Sequence, residues 1–137
     1  MRFVIALVIL LAGCAPLVDG QRREEEMLVA GAALTKVTAA AEVSASFGNL
    51  PDDFPDQKFL EAAVAHDPPL LAPLSRYQVK AIRKNGHAVV LVCSSDGIVA
   101  LLEDDGCTAA LDKHYWLDSS GAPCKFSIEP GAACNRK

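Results

Sequence analysis

Aromatic residues are scarce in this 137-residue chain, which has one Trp, two Tyr and five Phe. Its core must therefore be filled mainly by aliphatic and alanine side chains. Positive charge is also short: 13 Lys and Arg stand against 17 Asp and Glu, for a net charge of −4. That balance lacks the basic stripe that nucleic-acid binding requires. The only histidines are His66, His87 and His114, and no signature of a Cys/His hydrolase surrounds any of them. No GxSxG elbow frames the serines at 94, 95, 119 and 120. No CxxC pair is present, and the acidic run Glu103-Asp104-Asp105 lacks the twelve-residue loop of a calcium site. No glycine-rich phosphate loop, internal repeat or low-complexity tract is found. The sequence thus reads as non-enzymatic, with no catalytic residue, no metal and no cofactor.

Only one long hydrophobic run is evident, residues 3–12, and it follows a single positive residue, Arg2. It is shorter than the ~20 residues of a membrane-spanning helix. After Cys14, Pro16, Asp19, Gln21, Arg22 and Arg23 interrupt it. Charge, apolar core and small residues before a cysteine form a secretory signal. With Leu11-Ala12-Gly13-Cys14 at its end, the segment resembles the lipobox of bacterial lipoproteins. The resemblance implies cleavage before Cys14, a lipid on its thiol and an acylated amino terminus, and it covers about fifteen residues. It also implies a periplasmic domain anchored in a membrane. Ala15, where an Asp would favour inner-membrane retention, points to the periplasmic side of the outer membrane. Cleavage would leave 124 residues and, with Arg2 gone, a charge of −5. The expected organisation is a signal peptide over 1–13, a lipidated tether over 14–23 and one domain over 24–137.

Once Cys14 is assigned to the lipid, Cys93, Cys107, Cys124 and Cys134 remain, spaced by 14, 17 and 10 residues. An exported chain meets an oxidising compartment, so two structural disulfides are expected. A pairing of Cys93 with Cys107 is disfavoured, because a strand of roughly 15 Å would separate them. The reading leans to Cys107–Cys124 with Cys93–Cys134.

Along the chain, Met27, Ala30, Leu34, Val37, Ala41 and Ala45 recur at three- and four-residue steps, predicting an amphipathic helix over 24–47. Glu24-Glu25-Glu26 then lies at its amino end, where it suits the helix dipole. Asp56 is expected to cap a shorter helix reaching about residue 65. Residues 70–74, with prolines at 68, 69 and 73, read as an extended apolar arm covering the core. Asn85-Gly86 predicts a type I′ hairpin between strands 76–84 and 87–93, with Ile82 opposite Val89, Lys80 opposite Leu91 and Val79 opposite Val92. The second strand is apolar on both faces and so should be central. A third strand is expected over 98–102, ended by a solvated turn at Glu103-Asp104-Asp105-Gly106. Thr108 to Leu117 reads as a short helix or an irregular segment, and residues 124–128 as a short strand.

The expected fold is α+β: two N-terminal helices on a small antiparallel meander, with a disulfide-stapled C-terminal region. The expected role is that of an accessory, structural or assembly lipoprotein of the envelope, bound to the membrane through its lipid and to an envelope protein partner. Arg76, Lys80 and Lys84 on the hairpin, Asp96 in the second turn and Tyr115-Trp116 are the candidate partner surface. The alternative is a small disulfide-stabilised inhibitor or ligand-binding module that uses the loops around Asp96 and Tyr115-Trp116.

Overall fold

The structure, a computed structural model, describes residues 15–51, 53–116, 118 and 121–134, with side chains from residue 19 onward. The segment that resembles a lipobox, Cys14 included, lies outside the described residues.

Helix α1 spans Ala15–Phe47, 33 residues. The stretch expected as a tether is therefore helical from residue 15. Pro16 does not prevent this, since the first turn of a helix has no intrahelical acceptor for that N–H. The helix starts nine residues before Glu24, so the acidic triplet lies within it and no acidic residue occupies its first turn. Glu26 pairs instead with Arg22 and Arg76, at 3.4 Å and 3.3 Å. The predicted stripe is the buried face as far as Ala41: Met27, Ala30, Leu34, Val37 and Ala41 are all 5% exposed or less, while Ala45 is only half-buried.

A single long helix thus dominates. The second, α2 (Asp56–Ala63), has only 8 residues. Asp56 is its first residue and not its cap; its carboxylate accepts a hydrogen bond from the Ala81 amide at 3.2 Å, fastening α2 to the sheet. The proline-rich arm is not extended but a 3-10 helix, Pro68–Leu74, which buries Leu74. Prolines at its start and at 73 fix φ near the helical value while removing donors that a sheet would need.

Four antiparallel strands follow in sequence order: β1 (Gln78–Lys84), β2 (His87–Cys93), β3 (Ala100–Asp105) and β4 (Lys113–His114). The hairpin has the expected register, with Ile82 opposite Val89, Lys80 opposite Leu91 and Val79 opposite Val92. Asn85 and Gly86 both have positive φ, 53° and 79°, as a type I′ turn demands. The central strand β2 is buried along its length beyond His87. Ala88, Val90 and Val92 pack toward α1 and α2, whereas Leu91 and Cys93 join Ala100, Tyr115 and Phe126 on the other face. Between Cys93 and Leu102 the register shifts by one residue, and Leu101 is the extra residue. This bulge lets Ala100 and Leu102 serve opposite faces.

The third strand starts later than expected and runs through the acidic triplet, so Glu103, Asp104 and Asp105 are strand residues and not a turn. Residues 108–112 form no helix, and residues 124–128 form no strand, although Val99 bridges to Pro123 just before them. Two disulfides close the C-terminal third: Cys93–Cys124 and Cys107–Cys134, with Cα separations of 5.7 Å and 5.4 Å. This pairing corrects the one favoured from sequence. The bridge at Val99 returns residue 124 to the Cys93 end of the strand, while the tail runs back along β3 to the Cys107 end.

Leu34 is wholly buried at the centre of the α1–sheet interface. Leu34→Ala should lower the unfolding free energy by about 2–4 kcal/mol, measured by chemical denaturation with the disulfides intact. A loss below about 1 kcal/mol would mean that α1 is not seated on the sheet as described.

Candidate functional site

Two features stand out among the described residues: a row of buried carboxylates on β3, and an apolar groove along α1.

Glu103, Asp104 and Asp105 are each 1% exposed or less. Isolated buried carboxylates are strongly unfavourable, and hydrogen-bond donors must replace the lost water. The strand's two-residue period divides the row. Glu103 and Asp105 face the C-terminal tail, and Asp104 faces α1. One Glu103 oxygen, Oε1, accepts from the amides of Ser127 and Ile128 at 2.7 Å and 2.8 Å. The other, Oε2, lies 2.7 Å from the Ser127 hydroxyl and 3.0 Å from that of Tyr115. Asp105 accepts from the amides of Gly131 and Ala133 at 3.4 Å and 3.2 Å. Among the described residues, the tail pairs with the sheet only at its start, at Val99 and Ala100, and farther along β3 carboxylates take the place of a neighbouring strand's carbonyls. Burial raises the Tyr115 phenol above its ordinary pKa.

Asp104 is placed differently. Burial, and then the negative charge of Asp112, raise its pKa to about 7. It hydrogen-bonds Thr38 on α1 and accepts from the Asp112 amide at 3.3 Å. Asp112 in turn accepts from the Asp105 amide at 2.9 Å and from the Thr108 hydroxyl at 2.7 Å. This row is structural in its connections, since its donors come from the chain itself.

The groove is open to solvent. It lies between the C-terminal half of α1 and the α2–3-10 segment and encloses about 600 Å³. Ala39, Ala40, Val43 and Phe47 form one wall, and Ala62, Ala63 and Leu70 the other. Val43 is 60% exposed and Phe47 85%. Its charged rim is provided by Lys36, and no carboxylate lines it. Lys36, Ala39, Val43 and Phe47 form a second helical stripe beside the buried one. Sequence reading ended the helix at residue 47 and assigned Phe47 no surface role. The available signal was an α1 apolar on more of its circumference than one packed face requires.

Of the residues proposed from sequence as a partner surface, Arg76 and Trp116 line one cleft with Arg22, Glu26 and Tyr77. Arg76 pairs with Glu26, and Lys84 with Glu129. Lys80 is half-buried on β1. The Asp96 carboxylate closes its own turn, accepting from the Ser94 hydroxyl at 2.5 Å and the Ile98 amide at 3.0 Å, and these bonds hold its pKa below the usual range. Tyr115 anchors the tail face through Glu103. Trp116 is buried on the α1 side, edge-on to Tyr77 at 5.3 Å. His114 is exposed on β4.

No family model matches the chain, and no curated protein or solved structure matches it.

The raised Asp104 pKa makes a signed prediction. The folded state holds this proton more tightly than the unfolded chain does. Its contribution is therefore complete below the unfolded carboxylate pKa of about 4 and is lost as pH rises through about 7. Asp104→Asn lacks that loss. Its stability relative to wild type should rise by on the order of 1 kcal/mol between pH 5 and pH 8. Denaturation curves at both pH values check this, and a pH-independent difference would refute it.

Proposed function

We propose that this chain is a lipid-anchored periplasmic lipoprotein of the outer membrane, working as a non-enzymatic accessory that holds an envelope protein. The observation that carries the reading is the exposed apolar groove along α1. Large apolar side chains left in water beside a concave wall mark a contact surface. The shape suits an amphipathic helix laid along α1, with Val43 and Phe47 as anchor points. Lys36, at the rim of a groove without carboxylates in a chain of net charge −4, favours a partner helix bearing an acidic residue there.

The helix also relates the groove to the anchor. Ala15 opens α1 directly after Cys14. At 1.5 Å per residue, the stripe from Lys36 to Phe47 begins about 30 Å along the helix from Ala15 and ends near 50 Å. A lipid on Cys14 would therefore hold the chain at one end of a rigid rod and present the groove at the other. The two disulfides agree with an oxidising compartment. The rival reading, an inhibitory or ligand-binding loop surface, draws less support because Trp116 is buried and Asp96 is occupied with its own turn.

A photo-crosslinking side chain at position 47, with one at exposed Lys125 as control, tests the reading in living cells. We expect one adduct with a different protein at position 47 and none at 125. Phe47→Asp and Lys36→Glu should abolish function or weaken the contact at least tenfold while the fold is kept. Cys14→Ser should remove acylation and release the chain from the membrane fraction. Absence of an adduct, an adduct only between two copies, or full function in Phe47→Asp would overturn the groove reading. Retained membrane attachment in Cys14→Ser would overturn the anchor.

A further inference from the structure

At the end of the sheet opposite the Cys93–Cys124 staple, four metal-ligating side chains from four segments meet. Cys107 follows β3, Cys134 ends the described tail, His87 opens β2, and Glu42 comes from α1. One ligand atom each of Glu42, Cys107 and Cys134 lies within 4.8 Å of the others. His87 Nδ1 is 3.6 Å from Cys134 Sγ and 2.5 Å from Glu42 Oε1. The same imidazole nitrogen faces both the sulfur and the carboxylate. A Cys–His–Glu catalytic relay would need the two ring nitrogens on different partners, so the geometry is that of donors around a common centre.

We propose that Glu42, His87, Cys107 and Cys134 form a redox-gated zinc site, closed while the disulfide is formed and competent when it is reduced. Two thiolates, one imidazole and one carboxylate are a donor set that suits tetrahedral zinc. With metal–ligand distances of about 2.0–2.3 Å, the ligand atoms of such a centre lie roughly 3.3–3.8 Å apart. The 3.6 Å between His87 Nδ1 and Cys134 Sγ already falls in that range, the 2.5 Å between His87 Nδ1 and Glu42 Oε1 lies below it, and the two bonded sulfurs part on reduction. Glu42 is already oriented: the Ala88 amide donates to Oε2 at 2.8 Å, leaving Oε1 for the centre. The loops are close-packed on the other ligands. A Cβ at Gly106, beside Cys107, would come within 2.5 Å of Glu42 Cβ, and one at Gly131 within 2.5 Å of the His87 ring.

The second disulfide does not share these features. Cys93 is wholly buried, and no donor cluster of this kind surrounds it among the described residues. Cys107 and Cys134 are partly exposed, and the His87 side chain is 37% exposed, which leaves a path for reductant and ion. The reductant is a dithiol. Its two electrons and two protons break the Cys107–Cys134 bond to two thiols, and it becomes a disulfide. Zinc then binds both sulfurs as thiolates, and their two protons leave to solvent.

The test uses the full chain in detergent, with Zn²⁺ as ligand, Co²⁺ as its spectroscopic stand-in and a phosphine as reductant. The oxidised chain should bind no zinc at micromolar concentration. After reduction it should bind one equivalent, and Co²⁺ should give thiolate charge-transfer and tetrahedral ligand-field bands. His87→Ala and Glu42→Gln, made in the disulfide-bonded protein and then reduced, should each lose at least about tenfold in affinity. The Cys107→Ser/Cys134→Ser double variant should lose the site. Equal binding by oxidised and reduced protein would overturn the proposal. So would no binding once alkylation shows both thiols free, or His87→Ala binding as tightly as wild type.

Discussion

Beyond the bridge at Val99, the described residues of the C-terminal tail join no sheet, and the fold depends on how Glu103 compensates for that. Its buried carboxylate gathers two amides and two hydroxyls from Ser127, Ile128 and Tyr115. Asp105 repeats the arrangement one step along the strand with Gly131 and Ala133. Bonds of this kind, donated by amides to a carboxylate, are stronger than neutral ones. They are also hard to lose, because removing a donor leaves a charge without water or partner. The carboxylates therefore act with the two disulfides: the cystines fix where the tail returns, and Glu103 and Asp105 fix how it lies between those points. A tail held in this way covers the second face of β2 and completes a core that few aromatic residues are available to fill.

The other face of β2 belongs to α1. One stripe of that helix, from Met27 to Ala41, is sealed against the sheet. A neighbouring stripe from Lys36 to Phe47 is left in water beside the α2–3-10 wall. By length and hydropathy alone, the part of α1 from Asp19 to Phe47 would qualify as a membrane span, but 44% of its most apolar window is buried inside the domain. It is a core helix with a surplus of apolar surface, and that surplus is the strongest physical argument for a protein partner. Glu42 and Val43 are adjacent on this helix and are directed differently. The first meets the Cys107–Cys134 region and the second the groove, so one helical turn serves both.

Some of the structure could be read directly from residue order. Asn85-Gly86 fixed the hairpin register because a two-residue turn leaves no slack and both positions tolerate positive φ. The three- and four-residue recurrence of apolar positions located the buried face of α1. Four cysteines beyond Cys14, in a chain whose start resembles an export signal, announced two disulfides, and α+β was legible as the class. The helix start was not, because Pro16 argues against a helix interior while saying nothing against a first turn. The apolar groove was only half legible: Val43 and Phe47 are visible as apolar, yet whether a second stripe is covered depends on where α2 and the 3-10 segment come to rest.

The acidic triplet marks the boundary most clearly. By itself, Glu-Asp-Asp-Gly is a solvated turn, since charges stay in water unless something better than water is supplied. That something is a set of amides and hydroxyls up to 28 residues away in sequence, and they become neighbours only when the tail folds back. The cystine pairing followed the same logic, being set by the bridge at Val99 rather than by spacing. Local chemistry, meaning turn geometry, helical period and cysteine number, was determined by the sequence. Which charges are buried, which thiols meet and which apolar face stays open were decided by contacts between distant segments, where pairwise distance in space is not a function of distance along the chain.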